Sequence, residues 1–260
     1  MVTLRLHRIF GTDGRTVIVA MDHASYFGPI PGIDSPGRTL RAVVEAGADA
    51  VLTTAGIAAR FGDCLGRAGL ILRVDGGSTN RAPQPGPLRQ IVSIERALRL
   101  GADALVCMGM IGHEEETSSL HVLTSLVDQC SSLGMPVMAE MLVKREAGAH
   151  PSAEDIAFAA RIGAELGASL IKTPYVPPAE EYRVVTETCY VPVVVLGGAR
   201  ADNERSVLTR VDDALRAGAA GVAMGRNVWQ HTDPGGMTRA LVALVHGRAT
   251  VDEAFKEIQT

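Results

Sequence analysis

Apolar residues in this chain fall into two alternating textures. Short, nearly continuous runs rich in β-branched residues are followed by longer segments in which apolar positions recur every three or four residues. The runs are Val17 to Met21, Ala50 to Thr54, Leu70 to Asp75, Ala104 to Met108, Pro136 to Glu140, Ser169 to Thr173, Pro192 to Leu196 and Gly221 to Met224. Each reads as a strand buried on both faces, as in a parallel sheet covered by helices. The periodic segments predict helices near Ser35 to Ala46, Ile57 to Leu65, Ile91 to Leu100, Glu114 to Leu133, Ser152 to Leu166, Pro178 to Thr188, Asn203 to Ala217 and Pro234 to His246. Ser152 with Asp155 three residues later gives a capping box with a short acid, and Glu114, Glu115 and Glu116 suit the positive end of a helix dipole. Before the second, fourth, sixth and eighth strands comes one repeated phrase: A-G-A-D-A, L-G-A-D-A, L-G-A-S-L, A-G-A-A-G. Its glycine stops the helix, and the small residues after it turn the chain into the next strand.

Eight βα units in 260 residues predict an α/β chain folded as a single (β/α)8 TIM barrel, one domain over 1–260. An open doubly wound sheet would more naturally carry G-x-G-x-x-G at its first turn, and none follows Met21. The long segment from Asp75 to Pro87, D-G-G-S-T-N-R-A-P-Q-P-G-P, cannot be helical and reads as a functional loop.

Charge narrows the partners. With 25 basic and 29 acidic side chains the net charge is -4, and no basic block or basic-aromatic interleaving occurs, so neither nucleic acid nor a membrane is an expected partner. The start, M-V-T-L-R-L-H-R-I-F, is too short and too charged for a signal segment, which predicts a cytoplasmic protein. Cys64, Cys107, Cys130 and Cys189 form no C-x-x-C pair and read as buried free thiols.

In a barrel the reactive groups come from the C-terminal strand ends and the loops after them. These positions hold Asp22 and His23, Asp75, Glu140, Lys172, Gly197 with Gly198, and Gly225 with Arg226. Lys172, in S-L-I-K-T-P-Y (169–175), ends an apolar run, and an amine in an apolar wall tends to shed its proton, as attack on a carbonyl requires. Asp22 and His23 read either as a turn and a packed ring or as a proton-moving pair. Glu140 reads either as an acid-base group or as a structural partner of Lys172 or Arg73. The glycine turns V-V-V-L-G-G-A-R (193–200) and V-A-M-G-R-N (222–227) let backbone N–H groups approach an anion, with Arg200 or Arg226 adding charge. His113 and His121 beside Glu114 to Glu116 show no metal-ligand spacing and read as a solvated face.

M-D-H (21–23) with G-P (28–29), I-K-T-P-Y, the two glycines after the seventh strand and G-V-A-M-G-R-N-V-W-Q (221–230) together resemble the DhnA-type class I aldolases. That group holds the archaeal-type fructose-1,6-bisphosphate aldolases, the amino-dideoxy-heptulosonate synthases and the phospho-autoinducer-2 thiolase. The resemblance implies a TIM barrel in which Lys172 forms a Schiff base and Asp22 moves protons. It implies phosphate binding at Gly197, Gly198, Gly225 and Arg226, no metal or other cofactor, and a homo-oligomer, often a ring-built decamer. The activity implied is that of an aldehyde-lyase on a phosphorylated ketose or dihydroxyacetone phosphate-type substrate. Two positions depart from the pattern. Where the family usually has M-Y-P-R-G, this chain reads A-E-M-L-V-K-R-E-A-G (139–148), with Leu142 in place of the acid-base tyrosine. Glu140, His23 or Tyr175 then has to substitute, or the reaction is an acyl transfer to coenzyme A as in the thiolase branch. Leu196 replaces a serine common before the glycine pair. A barrel that binds a sugar phosphate without turnover is the non-enzymatic alternative.

Overall fold

A computed structural model describes residues 4–84, 86–145, 149–201 and 203–259. The apolar runs form eight parallel strands: β1 (Thr16–Ala20), β2 (Ala50–Thr54), β3 (Gly69–Arg73), β4 (Ala104–Ile111), β5 (Val137–Val143), β6 (Leu170–Pro174), β7 (Val193–Leu196) and β8 (Gly221–Met224). Each pairs with its sequence neighbours, and β8 returns to pair with β1, so the sheet closes into the expected (β/α)8 barrel. Sequence limits agree to within three residues, and the largest shifts are informative. β4 and β5 stay paired out to Ile111 and Val143, past the expected stops at Met108 and Glu140. Gly109 is tolerated inside β4 because a Cβ there would lie 2.5 Å from Met141 Sδ. Glu140 is tolerated inside β5 because two cations meet it.

The repeated phrase before even-numbered strands does two jobs. Gly47, Gly101, Gly167 and Gly218 all have φ between 78 and 98°, the left-handed residue that ends each helix. The polar residue that follows ties down the neighbouring strand: Asp49 accepts from Val17 N–H at 2.7 Å, Asp103 from Leu70 N–H at 3.0 Å and Ser169 from Val137 N–H at 3.4 Å. Strands β1, β3 and β5 are thus clamped at their starts. The capping box is present as read, with Ser152 accepting from Asp155 N–H and Asp155 from Ser152 N–H.

Side-chain alternation divides two cores. Inward lie Ile18, Ala20, Ala50, Leu52, Ile71, Ala104, Val106, Met138, Leu170, Val194 and Ala223, with Ile9 plugging the N-terminal end. The intervening residues face the helices. The pleat therefore aims at the mouth whatever stands two places after the last inward apolar residue. Those places hold Asp22 after Ala20, Arg73 after Ile71, Glu140 after Met138 and Lys172 after Leu170. All four cysteines are free and buried, and no described helix is long and apolar enough to cross a membrane.

At the opposite end, His246 ties the chain's last turns to its first. Its Nδ1 lies 2.9 Å from Asp13 and its Nε2 2.8 Å from Asp49. The hydrogen bond to Asp49, against burial but with help from Asp13, pushes the imidazole up to about 9. A raised value means that the protonated form stabilises the fold, fully below about pH 6.5 and lost as pH climbs through 9. His246→Gln should cost about 1–2 kcal/mol at pH 6, allowing for solvent screening. In urea titrations the gap to wild type should close above pH 9.

Candidate active site

Seven strand ends converge on a cavity of about 570 Å³ at the C-terminal mouth. All eight site residues expected from sequence line it: Asp22, His23, Glu140, Lys172, Gly197, Gly198, Gly225 and Arg226. Arg200 is exposed and does not line it. Tyr175 lies on the other side of the wall, and the expectation that it could replace the missing tyrosine is corrected. Three residues beyond Lys172, the pleat turns it toward the helices, where it packs edge-on to Tyr182 with ring centroids 4.9 Å apart. Leu142 does face the cavity, so hydrocarbon stands where the resemblance implies a tyrosine.

Lys172 is 4% exposed and sits beside Glu140 in the register of β5 and β6. Its Nζ lies 2.7 Å from Glu140 Oε1. The expected apolar wall around the amine is therefore corrected to a carboxylate within hydrogen-bond reach. A proton leaving the ammonium has an acceptor in place. Arg73, buried at the end of β3, holds the carboxylates in order. Its Nε donates to Asp22 Oδ2 at 2.9 Å, its Nη1 to Asp75 Oδ1 at 3.1 Å, and its Nη2 to Glu140 Oε2. Asp75 is fixed from its other oxygen by Met108 N–H at 2.8 Å.

Three acids around one guanidinium would be untenable if unpaired, because burial alone disfavours their charged forms. Burial does raise Asp22, but Arg73, the neighbouring His23 ring and the Lys172 charge outweigh it and hold Asp22 far below the usual carboxylate range. Glu140 is likewise raised by burial but lowered overall by Lys172 and then Arg73, with Asp22 opposing. Arg73 is driven upward by Glu140, Asp75 and Asp22 against burial. Both acids beside Lys172 are thus ionised at neutral pH. His23 Nδ1 approaches Asp22 Oδ1 at 3.4 Å, and its ring stands edge-on to Trp229.

The glycine turns form the other half of the site. A Cβ on Gly225 would lie 2.8 Å from His23 Cε1 and 2.9 Å from the Ala20 carbonyl, so only glycine lets β8 end this close to β1. Asn227 holds the loop after β7 by donating to the Gly197 carbonyl at 2.7 Å and the Ala199 carbonyl at 3.2 Å, while accepting from Ala201 N–H at 2.8 Å. Arg226 Nε is buried with no hydrogen-bond acceptor among the described residues, a donor free for a ligand. Sequence reasoning named Arg73 only as a possible partner of Glu140, not as an organiser of three acids, and it missed Asn227. The signal for Arg73 was present, an arginine two places after an inward isoleucine in an otherwise apolar run. For Asn227 no spacing pointed to loop binding. Among the described residues no group of three or more His, Cys, Asp or Glu side chains is arranged to hold a metal ion.

Residues 16–231 match the family model described as DeoC/LacD family aldolase. The chain is 37% identical to the 2-amino-3,7-dideoxy-D-threo-hept-6-ulosonate synthase of Halobacterium salinarum, over 97% of this chain and 94% of that one. It is 34% identical to the 2-amino-4,5-dihydroxy-6-oxo-7-(phosphonooxy)heptanoate synthase of Streptomyces griseus, over 95% and 91%. Among solved structures, an archaeal fructose-1,6-bisphosphate aldolase superposes with a TM-score of 0.84 at 31% identity, covering 93% of this chain and 98% of that one. In that structure the catalytic lysine is covalently bound to the carbinolamine intermediate of the substrate.

Proposed function

This chain belongs to the DeoC/LacD aldolase family, and from that premise we propose that it is a class I aldolase whose Lys172 forms an imine with a phosphorylated ketose or dihydroxyacetone phosphate-type substrate. One observation carries the reading: a buried amine lines the same cavity as two glycine turns and a free arginine nitrogen. Glu140 takes the proton from the Lys172 ammonium, and the freed amine attacks the ketone carbon. Loss of water from the carbinolamine leaves a protonated imine, which withdraws electrons from the adjacent bond as that bond breaks or forms. Asp22, ionised, accepts the proton from the hydroxyl of the departing carbon and returns one to the enamine, with His23 beside it as relay. Gly197, Gly198, Gly225 and Arg226 hold the phosphate, and this anchoring fixes the carbonyl against the amine, worth several kcal/mol of barrier. The residues 1–260 act together as one catalytic domain.

Leu142 favours one second reading. With no hydroxyl at that position, an acyl transfer to coenzyme A through the same barrel is the rival chemistry. A coupled assay for triose phosphate released from ketose phosphates separates the two. Turnover with chelator present and coenzyme A absent is expected; strict dependence on coenzyme A, or loss in chelator, would overturn the aldolase reading.

A further inference from the structure

The loop after β7, residues 197–201, puts Gly197 and Gly198 on the cavity, and Gly198 takes a φ of 66° that favours glycine. Neither glycine has a side chain to brace the turn. The Gly198 N–H has no hydrogen-bond partner among the described residues, which leaves it open to an anion. Among the described residues, the hydrogen bonds that hold 197–201 all run to one side chain, Asn227. Its Nδ2 donates to the carbonyls of Gly197 and Ala199, and its Oδ1 accepts from Ala201 N–H. Gly197 is what lets the amide reach the loop, because a Cβ there would lie 3.2 Å from Asn227 Nδ2 and 2.8 Å from Met224 Cε. Asn227 itself is 4% exposed and does not line the cavity, so it acts on a ligand only through the loop. The helix that carries it, Arg226–Trp229, has its own anchors: Val228 and Trp229 are buried, and Trp229 Nε1 donates to the Ala20 carbonyl at 2.8 Å. Loss of the amide would therefore free the loop while Arg226, on that helix, stays seated at the cavity.

We propose that Asn227 is a positioning residue for the anion grip. It presets the loop after β7 so that the Gly198 N–H and Arg226 Nε meet one phosphate, and without it a phosphorylated ketone must order the loop as it binds. This rests on the imine at Lys172, and the test separates the two. The rate of borohydride-dependent label on Lys172 is measured against concentration for dihydroxyacetone phosphate and for phosphate-free dihydroxyacetone. The ratio of half-saturating concentrations, phosphate-free over phosphorylated, is expected to fall at least about tenfold in Asn227→Ala, with the saturating rate for the phosphorylated ketone changed less than about threefold. Asn227→Asp keeps the volume and the acceptor for Ala201 N–H but sets an oxygen against both loop carbonyls. It should lose at least as much as alanine, and it keeps the test available if the alanine variant does not fold. A wild-type ratio in Asn227→Asp would mean that the side chain only fills space, and would overturn the proposal. So would Asn227→Ala weakening both ketones alike, an outcome that leaves the imine intact. No label on wild-type Lys172 with either ketone would overturn the imine and this proposal with it.

Discussion

Lys172→Met should lower kcat/KM for a ketose phosphate by on the order of 10⁴-fold or more, because among the described residues no other lysine lines the cavity. Methionine keeps the length and fills the same buried volume, so packing between β5 and β7 survives. Glu140 loses one cation but keeps Arg73. The expected stability cost is about 1–3 kcal/mol, that of a buried acceptor with one partner fewer. Single-turnover kinetics beside a urea titration would separate the two effects. A variant that still turns over within about tenfold of wild type would show that the chemistry does not pass through this nitrogen.

Arg73→Met should act mainly on the fold. Asp22, Asp75 and Glu140 are each paired to this guanidinium and each less than a tenth exposed, so its removal leaves three carboxylates with Lys172 as the nearest cation. Breaking one buried pair from one side costs about 3–5 kcal/mol, and that range is expected here at pH 7. The sign with pH follows from the depressed acids. In wild type, lowered values for Asp22 and Glu140 stabilise the fold above their ordinary values near 4, and that contribution is lost as pH falls through the lower folded values. Without Arg73 the acids titrate higher. The stability deficit should therefore be largest at neutral pH and shrink toward pH 4, and the acidic limb of the kcat/KM profile should move upward. Arg73→Lys keeps a charge but cannot reach three acids and should fall between, which keeps the test available if the methionine variant does not fold. A deficit independent of pH would mean that packing, not charge, is what Arg73 supplies.

Strand-end logic made most of the site legible before any coordinates. Once the eight apolar runs are taken as barrel strands, period-two alternation points Lys172, Glu140 and Asp22 into one mouth, and the glycine turns fall at the ends of β7 and β8. Four features escaped it. Arg73 is a hub only because β1, β3 and β5 bring their carboxylates within reach of a single guanidinium, a relation among segments 51 and 67 residues apart. Tyr175 could have been excluded by counting the pleat, since an odd offset from Lys172 faces the helices. The extension of β5 was hidden by Glu140 itself, whose charge reads as a strand end until its two cations are known. The short helix Arg226–Trp229 was likewise invisible, being too brief to show a period.

The most direct test is to trap the intermediate. The protein is incubated with dihydroxyacetone phosphate and borohydride, digested, and mapped by mass spectrometry. A stable addition on the peptide carrying Lys172, reduced by inorganic phosphate and absent from Lys172→Met, is the predicted result. Turnover without label at Lys172, or label of equal intensity on another lysine, would contradict the account.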